Sequence, residues 1–116
     1  MMIKEYKFDI MYKNELVTEV SVHGEDIFVT KHIHNVAIQP FYGGLITMER
    51  IEDFLRSRCF SSSRTDKKDL LSYLKLENYN PISIIKKTHG HMYHDCLWIR
   101  FPGEMLTWED VKNGTC

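Results

Sequence analysis

Hydrophobic and polar positions alternate with a period of two over the first part of the chain. Tyr6, Phe8, Ile10 and Tyr12 fall on one face and Glu5, Lys7 and Asp9 on the other, the pattern of a half-buried strand. After the polar break Lys13-Asn14-Glu15, the residues Leu16, Thr18, Val20 and Val22 alternate with Val17, Glu19 and Ser21. A second strand pairing with the first as a hairpin is predicted. His23-Gly24-Glu25-Asp26 turns the chain, and the β-branched and aromatic run from Ile27 to Ile33 predicts a third strand. Residues 1–34 thus form a β-meander with one face in need of cover. From His34 to Gly44, Pro40 and the Gly43-Gly44 pair mark an irregular connector, with Gln39-Pro40-Phe41 as an extended segment crossing the sheet edge.

The period then changes to that of a helix. Thr47 is a good N-cap, and Met48, Ile51, Phe54 and Leu55 form one apolar stripe behind it. Ser61-Ser62-Ser63 breaks this helix. Ser63 or Thr65 caps a second, whose apolar face is Leu70, Leu71 and Leu74. Asn80-Pro81 opens a third, with Asn as N-cap and Pro at the first helical position. Ile82, Ile84 and Ile85 bury it, and Gly90 ends it in a left-handed cap. Leu97 to Phe101 reads as a strand with Trp98 or its neighbours facing the core. Thr107 and Asp110 resemble a capping box opening a last helical turn. The predicted fold class is α+β: a small antiparallel β-meander covered by three short helices, with a late C-terminal strand. The 116 residues suit a single domain, with the meander at 1–34 and a helical part with one strand at 47–112.

Composition narrows the function classes. Apolar residues make up 43% and charged residues 27% of the chain, which excludes wholesale disorder. The net charge of −1 suits neither an acidic nucleic-acid mimic nor a strongly basic binder. The distribution is uneven, however. Residues 54–90 carry eight basic and three acidic side chains, and the basic ones include Arg56, Arg58, Arg64, Lys67, Lys68, Lys86 and Lys87. This island either faces solvent or meets phosphate or an acidic protein. Three arginines flanking the serine run make Arg56–Arg64 the best anion-binding candidate. The opposing reading pairs them with Asp53, Asp66 or Asp95. No apolar leader or long apolar run is present, so secretion and membrane insertion are not expected. Cys59, Cys96 and Cys116 form no CxxC pair, which fits reduced thiols in a cytoplasm, with Cys59 and Cys96 as small core residues.

Five of the six histidines fall in His32/His34, His89/His91 and His94. Residues two apart on a strand share a face, so His32 and His34 could share a metal with His94, Asp95 or Cys96. The spacing matches no standard zinc module. His94-Asp95-Cys96 is not a triad either, because neighbours on an extended chain point to opposite faces. Gly43-Gly44 lacks the rest of a phosphate loop. Neither a catalytic set, a cofactor nor a metal is assigned. His91 and His94 are expected as surface side chains beside the basic island, and join Arg56, Arg58, Arg64, Lys67, Lys68, Lys86 and Lys87 as the partner- or anion-binding candidates.

Several residues carry a resemblance: Arg58-Cys59-Phe60, Arg64, Leu70-Leu71-x-x-Leu74, Tyr79-Asn80-Pro81, Ile85, Thr88-His89-Gly90, Asp95-x-x-Trp98-Ile99 and Leu106-Thr107-Trp108-Glu109-Asp110-Val111. Together they resemble a segment near the N-terminus of bacterial HipA-like kinases, and small stand-alone proteins of bacteria and their mobile elements. In that family the segment precedes the kinase domain, and the ATP-binding and catalytic residues have no counterpart here. The resemblance implies a non-enzymatic regulator that binds a protein in trans, as the small antitoxin of three-part HipBST-type systems does. A mobile-element inhibitor of host defence, such as an anti-CRISPR, is the same physical class with another target. The alternative is nucleic-acid binding through the basic 54–90 segment. A cytoplasmic location and a homodimer formed through the meander's exposed edges are further expectations.

Overall fold

The computed structural model describes residues 5–92 and 96–112. The elements run β1 (Glu5–Tyr12), β2 (Glu15–His23), β3 (Asp26–Lys31), α1 (Met48–Ser57), α2 (Lys67–Tyr73), α3 (Pro81–Thr88), β4 (Leu97–Arg100) and α4 (Trp108–Val111). The strands form one antiparallel sheet in the order β3-β2-β1-β4. The fold is α+β, as the residue patterns predict, with the late strand added beside β1.

A β-bulge divides the sheet into two working faces. Ile10 pairs with Thr18 but Met11 pairs with Leu16, so Val17 is the extra residue in β2. This corrects the simple alternation expected of β2. Val17 and Thr18 are both buried, whereas Leu16 turns to the opposite face with Met11. On the main face, Phe8, Ile10, Val20 and Val22 pack against Ile51 and Leu55 of α1 and Ile84 and Ile85 of α3. These residues give the helices their apolar stripes at helical spacing. On the other face, Met11, Trp98, Cys96 and Trp108 form a second cluster under α4. Trp98 therefore does not face the main core; its neighbour Ile99 does.

Caps fix the helix starts. The Thr47 hydroxyl accepts from Arg50 N–H at 3.2 Å, and the Asn80 side chain accepts from Ser83 N–H at 3.1 Å. The predicted caps of α2 are corrected: Asp66 precedes it and makes no side-chain cap bond. At the end of α3, His89 rather than Gly90 is the first left-handed residue, at φ 59°, with Gly90 following at 63°. The third strand also ends at Lys31, two residues short of the apolar run that predicted it.

The connector is tied down by one amide. Gln39 is buried; its Oε1 accepts from the Thr18 hydroxyl at 2.8 Å and from Phe41 N–H at 3.1 Å. Its Nε2 donates to the Ile33 carbonyl at 2.7 Å. This arrangement satisfies a buried hydroxyl on the core face of β2 and seats Phe41 against Phe54 of α1.

Candidate functional site

The basic island of the sequence does not assemble as one cationic surface. Arg58 follows α1 and is only 7% exposed. Its Nε donates to the Gly90 carbonyl at 2.8 Å and its guanidinium also donates to the Leu97 carbonyl at 3.0 Å. It fastens the end of α1 to the turn between α3 and β4. The expectation of Arg58 as a partner-binding residue is thereby corrected: a guanidinium committed to buried carbonyls cannot reach a ligand. Arg56 is exposed and pairs with Asp53 one turn earlier. Arg64 forms a two-pronged pair with Asp66, at 2.8 and 2.9 Å. That hydrogen bond holds the Asp66 carboxyl below the usual aspartate range. The arginines thus serve the helix junctions, and the cations left are lysines. Lys68, Lys86 and Lys87 are exposed and Lys67 is half-buried. No described carboxylate pairs with any of these four. Lys86 Nζ lies 5.8 Å from the Phe101 ring centroid.

The histidine-rich turn is also mostly architecture. His89 Nε2 lies 2.8 Å from Glu104 Oε2, and the other oxygen of Glu104 accepts from Phe101 N–H at 2.7 Å. One carboxylate thereby ties the end of α3 to the turn after β4. His91 is corrected from a surface side chain: both its ring nitrogens are buried and, among the described residues, without a hydrogen-bond partner. Its ring stands edge-on to Trp108 at 4.9 Å between centroids. His94 lies outside the described residues, as does Asp95. His32 pairs with Glu19 at 2.8 Å on the sheet's outer face. Among the described residues, no group of three or more His, Cys, Asp or Glu side chains could hold a metal ion.

Cysteine chemistry divides. Cys59 is a free, buried thiol whose pKa burial pushes up to about 11, so it is not a nucleophile at neutral pH. Cys96 is disulfide-bonded, which corrects the expectation of a reduced thiol there. A cleft of about 480 Å³ opens between the start of β1, α1 and the first turn of α3, where Tyr6, Glu52, Arg56 and Pro81 line it. Burial, and secondarily Glu52, raises the Tyr6 phenol, which therefore stays protonated. The cleft's charged groups, Glu5, Glu52 and Arg56, are of both signs.

The second cluster is keyed to the β1–β2 turn. Lys13, at φ 51°, accepts at its carbonyl from Trp98 Nε1 at 2.7 Å and donates its N–H to the Cys96 carbonyl at 3.0 Å. Asn14 accepts from Trp108 N–H at 2.8 Å. The polar triplet that reads as a simple break is thus the dock for both tryptophans. Gln39 and Glu104 are equally silent in the sequence, because a buried amide in a connector and a carboxylate two residues after Pro102 carry no periodic signal.

Among the described residues, the part of the sheet's second face left uncovered is its outer part. Lys7, Glu19, Ser21, Phe28 and Thr30 line a shallow depression there. Phe28 is 60% exposed and meets the His23 ring edge-on, and the contacts His23–Glu5, His32–Glu19 and Arg100–Asp9 lie on the same face of the sheet. No helix among the described residues is long and apolar enough to cross a membrane. Comparison of the chain with protein-family models, with curated proteins and with solved structures finds no match in any of the three.

Proposed function

We propose that the protein is a small non-enzymatic regulator that acts by binding another protein. Its partner is a toxin kinase, which it would bind as an antitoxin, or a host-defence complex, which it would block as a mobile-element inhibitor of the anti-CRISPR kind. The observation that carries this reading is where the chemistry-bearing side chains are spent. Arg58, His89, Glu104, Tyr79 and Asp110 all hydrogen-bond to the chain's own fold, and most lie in the block that resembles the HipA-like segment. A domain whose charged groups hold its own turns together acts through shape and surface. The uncovered half of the second sheet face, centred on Phe28, is the surface of choice.

The test is affinity capture from the native host with wild type and with Phe28→Glu as bait. A reproducible protein partner captured by the first and lost by the second is expected. Capture of no protein by the wild type sinks the proposal. A cytoplasmic location belongs to the same proposal, and the Cys96 disulfide is the observation that weighs against it. Mass measurement of protein alkylated on lysis of native cells decides between them.

The unpaired Lys67, Lys68, Lys86 and Lys87 favour a second reading, nucleic-acid binding. It requires binding that weakens steeply with salt and on neutralising those lysines. A mobility assay at low salt that shows no complex removes it.

A further inference from the structure

We infer that β3 is a self-association edge: two copies pair β3 antiparallel about a two-fold axis midway between their Val29 residues, joining two four-stranded sheets into one of eight strands. The inference goes beyond the functional reading above and does not depend on it. It rests on which backbone groups the edge presents and on how charge is laid along it.

β3 is the outer strand, and its only described strand neighbour is β2. The two-residue turn Gly24-Glu25 closes on the pair His23 and Asp26. At the other end, His32 N–H donates to the Val17 carbonyl at 2.8 Å. Antiparallel ladders alternate, so Asp26, Phe28 and Thr30 turn their backbone groups toward β2, and Ile27, Val29 and Lys31 turn theirs outward. None of those outward groups is bonded to another described residue. Edges that avoid pairing carry a proline, a bulge or charges, lysine above all. β3 has no proline and no bulge, its lysine is the last residue, Lys31, and its middle is the uncharged Phe28-Val29-Thr30.

Register follows from symmetry. A two-fold axis perpendicular to the sheet pairs residues of like parity. Centred on Val29, it sets Ile27 opposite the partner's Lys31, so all three outward residues of each copy enter the new ladder. The same register matches charge on both faces. The strand begins acidic, at Glu25-Asp26, and ends basic, at Lys31-His32. On the outer face Asp26 then lies opposite the partner's His32, which already holds Glu19, and on the inner face Glu25 lies diagonal to the partner's Lys31. A parallel arrangement would put acid on acid and base on base.

The test uses the whole chain in sedimentation velocity from ~10 μM to ~1 mM, a span that covers weak to moderate dimers. Wild type is expected to show a concentration-dependent dimer, and Val29→Pro to be a folded monomer. That substitution deletes one outward N–H that the monomer does not use, and edge strands tolerate proline on that side. A wild type monomeric throughout the range, or a Val29→Pro variant that still dimerises, overturns the inference. Should Val29→Pro fail to fold, hydrogen exchange on wild type decides. The Ile27, Val29 and Lys31 amides should exchange roughly tenfold more slowly at the high concentration, with Phe28 and Thr30 slow at both. Equal exchange of the odd-numbered amides at both concentrations overturns it.

Discussion

Replacing Arg58 separates architecture from surface most sharply. If its guanidinium were a binding group on a solvated helix end, Arg58→Ala would change stability by less than about 0.5 kcal/mol. Its geometry says otherwise. Two charge-assisted hydrogen bonds to the Gly90 and Leu97 carbonyls, at 2.8 and 3.0 Å, are lost together. Each contributes about 1.5–3 kcal/mol. The side-chain stem also packs on the turn, since a Cβ on Gly90 would sit 3.2 Å from that of Arg58. We expect Arg58→Ala to cost about 3–5 kcal/mol, a fifth or more of the roughly 5–15 kcal/mol that holds a typical domain. Arg58→Lys should recover little, because one ammonium replaces a planar fork that reaches two diverging carbonyls. Urea titration followed by tryptophan fluorescence measures this directly, with Trp98 and Trp108 both reporting on the far side of the turn. An unchanged slope with a loss under 1 kcal/mol would refute the reasoning and return Arg58 to the list of binding candidates.

Three further outcomes follow from the same geometry. Gln39→Ala should cost about 2–4 kcal/mol, because the Thr18 hydroxyl and Phe41 N–H are left buried without an acceptor. Adding Thr18→Val should restore part of that loss, read from the same urea midpoints. His91→Phe should raise stability by about 1 kcal/mol, a few degrees in Tm, since it removes two unpartnered buried nitrogens and keeps the edge-on contact with Trp108. A lower Tm would show that those nitrogens have a use. Asp110 accepts from both the N–H and the hydroxyl of Thr107, and these bonds hold its carboxyl below the usual aspartate range. A depressed folded pKa means that its contribution is present above the ordinary value near 4 and fades as pH falls through the lowered one. An acid-induced change in Trp108 fluorescence below pH ~4 is therefore expected in wild type and absent in Asp110→Asn.

The legible parts of the fold were those written in periodic or capping signals. Tyr6, Phe8 and Ile10 announce β1, Thr47 and Asn80-Pro81 announce their helices, and Thr107 with Asp110 announces the last turn. Illegible were the contacts that depend on which distant carbonyl a side chain reaches. Arg58 sits among arginines that do point to solvent, and nothing local distinguishes it; its partners are 32 and 39 residues away. The bulge at Val17 is equally hidden, because an apolar residue beside an apolar run fits either register. That one extra residue sends Leu16 to the second face, where it packs against the cluster under α4. His91 is illegible for a related reason: nothing local separates a surface histidine on a turn from one whose ring nitrogens are buried edge-on to Trp108, 17 residues away.

The two surfaces left over, the open face and the β3 edge, meet at Phe28, and this makes their roles separable. In the register centred on Val29, Phe28 lies opposite the partner's Thr30 and diagonal to the partner's own Phe28, a separation aromatic rings can span. Pairing would therefore bring the two copies' Phe28 rings, each already edge-on to its own His23, into one patch beside the two-fold axis. If the regulated protein docks on that patch, Val29→Pro lowers capture although it alters no side chain on the open face. If each protomer's face suffices, Val29→Pro leaves capture intact and Phe28→Glu alone abolishes it. Titrating a captured partner against both variants in calorimetry distinguishes the cases. Retained affinity in Phe28→Glu, whatever Val29→Pro does, would remove the open face as the binding surface and point back to the lysines of α2 and α3.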